Sequence, residues 1–331
     1  MRARGARRAR GVRGKHGVRG GLCVLALALA AGCGLLPADQ QSGSSGIVVT
    51  TNILGDLTRN IVGDEAEVTV LMGPGADPHS FAISARQAAR IEDAGLLIHN
   101  GLGLEEGVAR NVRAAEEAGV PALAVAEEAD PLPFAEEAHE TGGGAEEGGD
   151  LDPHFWTDPA RVRTAVGLIA DRVVAAVDGV DADAVRANAQ EYAAELGRLD
   201  AWMTEEFEAI PPERRSLVTN HHVFGYLAER YGFEVVGAVI PSGTTLASPS
   251  AADLEALAGA IREAGVPAVF ADSSQPDRLA HVLADEAGVE AEVISLYSES
   301  LTGPGQGAAT YLEMMRANTE AIVAGLGSGS G

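Results

Sequence analysis

Two periodicities alternate along the chain. Short runs of β-branched and aliphatic residues occur at 47–51 (IVVTT), 66–71 (AEVTVL), 95–100 (GLLIHN) and 122–126 (ALAVA). They read as buried strands, because both faces of each run are apolar. Between them, 53–62, 84–94 and 103–117 carry apolar residues at helical spacing, the second opening on Ser84 as a cap. The alternation resumes later, with strands expected at 216–219, 234–240, 267–271 and 292–296 and helices at 222–231, 249–264, 276–287 and 307–325. Alternating strand and helix predicts parallel sheets covered by helices.

One segment differs in scale. Over 182–210, Val185, Ala189, Tyr192, Leu196, Leu199, Met203, Phe207 and Ile210 step by three or four residues, a continuous helical stripe that Pro211-Pro212 ends. A second helix is expected just before it, at 158–178. The predicted architecture is α/β: two parallel-sheet lobes, 47–181 and 211–331, joined by one long backbone helix, 182–210. Residues 127–150 interrupt the first lobe with nine acids, several glycines and a single histidine, His139, and read as a solvated acidic loop.

The amino terminus has another character. Residues 1–32 hold seven Arg and one Lys but no acid, and the apolar run 22–32 is short, so a secretory signal peptide is expected. It ends at Leu29-Ala30-Ala31-Gly32-Cys33, a lipoprotein-like box with Ala in place of the usual Leu. Lipid on Cys33, followed by a flexible tether over 33–46, would hold the protein at the outer face of the cytoplasmic membrane, or at the cell surface. The other cysteine, Cys23, lies in the leader, so neither a disulfide nor a thiolate metal site is expected in the folded part. Without the leader, 16 basic residues face 48 acidic ones, a formal charge of −32. That surface repels nucleic acid and attracts cations.

Candidate chemistry lies in the histidines. The tripeptide Asp-Pro-His occurs twice, at Asp77-Pro78-His79 and Asp152-Pro153-His154. Singly, a histidine is well explained by ordinary hydrogen bonding, but position changes the weighting. His79 follows the strand at 66–71, His221 follows 216–219, and Glu299 follows 292–296, where α/β sheets gather ligands. His154 lies just ahead of a helix. Proline before His79 and His154 fixes the local backbone and helps to aim each ring. Three imidazoles and one carboxylate, with no thiolate, suit a borderline divalent metal such as Zn2+. The intervals of 75, 67 and 78 residues exclude a local clip and put the ion in the cleft between the lobes. Gly101-Leu102-Gly103, by contrast, belongs to a G-x-G-x-x-x-G run with the wrong spacing for a dinucleotide fingerprint, and tight-turn glycines suffice to explain it.

With these motifs in order (TTNILGD, GADPHSF, NGLGLE, DPHFWTDP, NHHVFGY, PSAADL, LYSESL and TYLEMMRAN), the chain from Ile47 to Leu326 resembles the metal-binding lipoproteins of bacterial ABC importers for zinc and manganese. The resemblance implies two lobes on a backbone helix with the ion between them. It places metal ligands at His79, His154 and His221, with Glu299 standing where relatives usually carry Asp. His222 reads as a neighbour of the site, not a ligand. The acidic loop replaces the histidine-rich loop of many zinc members, so the likeness is to the zinc-binding branch without one. Implied partners are an ABC permease and its ATPase, with a periplasmic metallochaperone as a further partner, and the protein is expected to act as a monomer. Zn2+ is the expected cargo and Mn2+ the alternative. Two other classes compete: a secreted zinc-dependent hydrolase with Glu299 as general base, and an adhesin lipoprotein with an incidental ion. A four-donor site without a water position favours a binding protein over an enzyme.

Overall fold

The computed structural model describes residues 46–134, 151–240, 243–288 and 291–327. The leader, Cys33 and its tether, and residues 135–150 of the acidic stretch, with His139, lie outside the described residues.

The first lobe holds β1 (Ile47–Val49), α1 (Asn52–Val62), β2 (Val68–Val70), α2 (Ala85–Glu92), β3 (Leu96–His99), α3 (Ala109–Glu117), β4 (Ala122–Ala124) and the short α4 (Val125–Glu128). Then come α5 (Pro159–Ala176) and the long α6 (Ala182–Glu208). The second lobe follows with β5 (Ser216–His221), α7 (Gly225–Tyr231), β6 (Glu234–Ile240), α8 (Ala251–Ala264), β7 (Ala268–Asp272), α9 (Arg278–Ala287), β8 (Glu292–Leu296) and α10 (Tyr311–Gly327). Both sheets are wholly parallel, in the orders β2-β1-β3-β4 and β6-β5-β7-β8. The orders are equivalent, so each lobe reverses its winding beside its first strand. Such a switch point opens a crevice beyond the strands' carboxyl ends.

Strand alternation divides each sheet between two cores. Ile47, Val49, Leu96 and Ile98 face inward, whereas Val48 and Leu97 pack outward with Ile91 and Val112 under α2 and α3. In the second lobe Leu217, Ala268 and Phe270 face inward, while Val218, Val269 and Ala271 pack under α8 and α9. The inward faces share one apolar core that also takes in α1, α5, α6 and α10. The eight stripe residues of 182–210 are all buried in it, Ile210 just beyond the helix end. α6 is thus the spine on which both sheets rest, about 40 Å long.

Several elements are shorter than the pattern predicts. The helix expected over 103–117 begins only at Ala109. Gly101, Leu102 and Gly103 all take positive φ, and Glu105 turns back to accept hydrogen bonds from the Asn100 and Gly101 amides at 2.6 and 3.2 Å. Gly107 closes this turn, because a Cβ there would come within 2.1 Å of the Phe81 carbonyl oxygen. The strand expected over 122–126 stops at Ala124, where α4 begins, and 222–231 is helical only from Gly225. The expected cap is present, since Ser84 forms a capping box with Gln87, and Ser250, which the pattern did not single out, forms another with Asp253.

Because one core serves both lobes, the described fold should unfold as a unit. Leu199→Ala, at a fully buried position on the spine, is expected to cost about 2–5 kcal/mol and to leave a single transition in urea denaturation followed by circular dichroism. Two separated transitions would show that the lobes fold independently.

Candidate metal centre

The two Asp-Pro-His turns are built alike. In the first, Asp77 Oδ1 accepts a hydrogen bond from the His79 amide at 3.0 Å. In the second, Asp152 Oδ1 accepts from the His154 amide at 2.9 Å. Each aspartate therefore folds the backbone around its proline and fixes the histidine two residues on, a local side-chain turn. Proline stiffens the mount, but the carboxylate anchors it.

Each mount is then tied to its surroundings. Asp77 Oδ2 accepts from Ser80 Oγ at 2.7 Å, and across the cleft from Thr245 Oγ1 at 2.7 Å and Gln275 Nε2 at 2.9 Å. The second turn is held by Asn100, whose Nδ2 donates to the Pro153 carbonyl at 3.0 Å, and by Tyr226, whose hydroxyl donates to the Asp152 carbonyl at 2.5 Å. His221 ends β5 and needs no special turn. The loop bearing Glu299 is clamped from the first lobe. Asn52 Nδ2 donates to Ser300 Oγ at 2.8 Å, Asn52 Oδ1 accepts from the Leu301 amide at 2.9 Å, and Trp156 Nε1 donates to the Ser298 carbonyl at 2.8 Å.

These supports bring four donors to one point. His79 Nε2 and His154 Nε2 are 3.4 Å apart. Glu299 Oε1 lies 2.8 Å from His221 Nε2, 3.4 Å from His154 Nε2 and 3.9 Å from His79 Nε2. One donor atom from each of the four residues falls within 4.8 Å of every other. A regular tetrahedron with metal–nitrogen bonds of 2.0–2.1 Å has edges of about 3.3–3.4 Å. The four separations above, 2.8–3.9 Å, scatter around that value, so a cation can sit among the four donors with small adjustments. All four residues are at most 1% exposed.

Burial sets the protonation of this cluster. Desolvation pulls His79 down to about 3, helped by repulsion from His154 and His221. His154 is likewise held well below its ordinary range, chiefly by burial. Glu299 is pushed up to about 7 by burial, against the opposing pull of its hydrogen bond to His221. Burial also disfavours charge on His221, but the hydrogen bond to Glu299 and the attraction of nearby carboxylates outweigh it and raise its pKa. Burial thus keeps His79 and His154 in the neutral form, whereas His221 and Glu299, 2.8 Å apart, both hold a proton more readily than in water. Three polar atoms in the cluster, His79 Nδ1, His221 Nδ1 and Glu299 Oε2, are buried without a hydrogen-bond partner.

His154 has a further constraint. Its Nδ1 is 2.7 Å from Asp152 Oδ1, the oxygen that already accepts from the backbone. With Nδ1–H donating there, the lone pair of Nε2 points into the cluster, the tautomer a metal ligand requires. A cavity of about 340 Å³ lies beside the cluster in the second lobe and shares Thr245, Asp272 and Gln275 with its surroundings.

Residues 47–325 match the family model described as zinc-uptake complex component A, periplasmic. The chain belongs to this family. Among its relatives, the manganese-binding lipoprotein MntA of Halalkalibacterium halodurans is 30% identical over 307 residues, spanning 92% of this chain and 96% of that protein. The zinc-binding protein TroA of Treponema pallidum is 29% identical over 311 residues, 92% of this chain and 97% of the relative. The solved TroA structure superposes with a TM-score of 0.75, covering 85% of this chain and 98% of that one. A manganese-bound periplasmic metal-binding protein from Candidatus Liberibacter asiaticus, 26% identical, gives 0.73 over 85% and 99% of the two chains.

All four residues singled out from the sequence meet in this cluster. His222 is not one of the four. His99 lies apart, 3.5 Å from Glu116, and His281 is on α9 beside Asp277. Sequence reasoning passed over the supports: Asp77 and Asp152 as anchors, Asn52, and Asp272, which accepts hydrogen bonds from Ser298 and Ser274. The repeated Asp at the head of each tripeptide was the available signal.

Burial raises Asp152 to about 7, so the test belongs above that pH: in the metal-free protein, histidine 15N NMR at pH 8 should show His154 as a neutral ring protonated on Nδ1. A doubly protonated ring would overturn the assignment, and Asp152→Ala should shift the tautomer balance toward Nε2–H.

Proposed function

We propose that this protein is an extracytoplasmic solute-binding receptor that captures a divalent cation, Zn2+ foremost, and delivers it to an ABC-type importer. The observation that carries the reading is the meeting of three imidazole nitrogens and one carboxylate oxygen in a buried cluster between two lobes. His79 and His154 would come from the first lobe, His221 and Glu299 from the second. Four protein donors complete a tetrahedral site and leave no position for a reactive water, as suits carriage. Glu299 Oε1 stands at donor distance within the cluster, not set back from it as a general base would be. That placement weighs against the hydrolase alternative.

Manganese is the second reading, and one atom favours it. Glu299 Oε2 is buried without a partner and is available as a fifth donor. A chelating carboxylate raises the coordination number and the share of oxygen, which harder cations prefer. Zinc is preferred here on the strength of three imidazoles and one acid. Delivery involves a permease and its ATPase, with a metallochaperone as upstream donor. Lipid on Cys33 would keep the receptor at the outer face of the membrane. Among the described residues no helix is long and apolar enough to cross a membrane.

Metal analysis of the protein purified from metal-replete cells, followed by zinc–manganese competition, tests the cargo. Stoichiometric zinc is expected, and protein that retains neither metal would overturn the proposal. His79→Ala and His154→Ala should each lower zinc affinity at least about 100-fold, more than loss of a supporting group costs. Their denaturation midpoints should stay near that of the parent, and unchanged affinity would remove these residues from the ligand set.

The sign of the pH dependence follows from the two groups that hold protons most readily. Glu299 is raised to about 7 and His221 is raised as well, so as pH falls a cation must expel first one proton and then a second to bind. Affinity should be greatest above pH 7 and fall by at least about tenfold per unit toward pH 5. His79 adds no proton in this range, because it stays neutral to about 3. Three independent histidines titrating near 6.5 would add a third proton and a steeper loss. Isothermal titration in buffers of different ionisation enthalpy counts the released protons directly.

A further inference from the structure

An ion cannot reach four donors that are at most 1% exposed unless part of their cover moves. Most of the cover is structural. Trp156, whose ring centroid lies 5.2 Å from that of His154, is 2% exposed, and it holds the Glu299 loop through its indole N–H. The backbone of both Asp-Pro-His turns is pinned by carboxylates. Thr245 and Gln275 close the far side through Asp77.

Phe134 is different. It comes from the first lobe, where Pro133 forms an antiparallel bridge with Leu151. The Asp152 amide donates to the Leu132 carbonyl at 2.7 Å, and the Leu132 amide to the Tyr226 hydroxyl at 3.0 Å. The backbone leading to residue 134 is thereby fixed against the segment that enters the His154 turn. Its half-buried ring meets the His154 ring edge to face, with centroids 6.4 Å apart. The tip of the ring abuts the second lobe at Gly243, where a Cβ would lie 2.1 Å from Cζ and 2.6 Å from Cε1. A phenyl ring offers the ion no donor and makes no hydrogen bond that must break. It spans the seam between the lobes, and two torsions suffice to swing it aside.

We propose that the Phe134 ring, wedged between His154 and Gly243, is the stopper through which the cation enters and leaves, so that this residue sets exchange rates and not equilibrium affinity. The proposal rests on the reading that the cluster binds the ion. Glycine at 243 is part of the device, since the bare backbone gives the ring tip its seat. Removing the ring lowers the same barrier in both directions and leaves all four donors in place, as expected of gating.

The test measures rates with zinc itself. Stopped-flow mixing of metal-free full-length protein with zinc gives the association rate, and excess chelator gives the release rate. Phe134→Ala should raise both by about tenfold or more, with equilibrium affinity changed by less than about threefold. Gly243→Ala should act in the same direction, because the new methyl displaces the ring tip. Rates within about twofold of the parent in both variants, or faster release matched by an equal loss of affinity, would overturn the stopper. A metal-free measurement separates this idea from the function it rests on. Acylation of His154 by diethyl pyrocarbonate, followed by mass spectrometry, should be slow in the parent and faster in Phe134→Ala. If the parent binds no zinc yet the variant opens His154 to the reagent, the stopper stands and the transport reading falls. Unchanged acylation would overturn the stopper whatever the metal result.

Discussion

A carboxylate with essentially no exposure, set among three imidazoles, cannot keep its charge without a counter-charge beside it. Removing an ionised group from water is costly, and protein dipoles alone offset it only in part. Glu299 has two ways to meet that demand. In the metal-free cluster it hydrogen-bonds with His221, 2.8 Å away, and burial favours its protonated form. With a dication at the centre, the same oxygen would become a ligand and the proton would leave. Such an exchange of one positive charge for another would favour cations over neutral molecules.

The supports around the cluster hold four donors within 4.8 Å of one another against their mutual repulsion when charged. The supports cross between lobes and between distant parts of the sequence. Asn52, at the start of α1, clamps Ser300 and Leu301. Asp56, one turn further along α1, caps α10 by accepting from the Tyr311 amide at 2.9 Å. Tyr311 in turn donates from its hydroxyl to the Trp156 carbonyl, and Trp156 holds Ser298. One short stretch, TTNILGD, therefore organises the second lobe's contribution to the site. Thr50 adds the link to Glu105, the residue that closes the turn above the second histidine mount.

The architecture was legible because both periodicities are strong: strands buried on two faces and a 27-residue helix with an unbroken stripe leave little ambiguity. The four cluster residues were legible because they sit at strand ends and in repeated turns. The geometry that joins them was not. Asn52 and Leu301 meet across 249 positions, and no spacing rule reports such a contact. Local boundaries failed where side chains compete for the backbone. At 101–108 the helical pattern of apolar residues continues, yet Glu105 draws the amides of Asn100 and Gly101 to itself and delays the helix to Ala109. Proline looked like the source of rigidity in the Asp-Pro-His turns because its effect on φ is intrinsic, whereas the hydrogen bonds of the aspartates appear only once the chain is folded.

The two sides of the cleft are joined by different forces, and this decides where the molecule yields. Along the spine, the inward faces of both sheets share a continuous apolar core with α6 and α10, and separating them would expose many large side chains at about 1.5–3 kcal/mol each. At the mouth the lobes meet through a few hydrogen bonds: Thr245 and Gln275 to Asp77, and Thr244 to Glu106. Each such bond to a carboxylate contributes at most about 1.5–3 kcal/mol net, because water can replace it, and there are few of them against many buried side chains. A wide hinge about the spine is therefore disfavoured, while loosening of the loops at 243–250 and 273–277 is cheap. Those loops line the cavity in the second lobe and also touch the anchor of His79. Small movements at the mouth therefore leave the shared core intact, whereas any movement about the spine would have to break it.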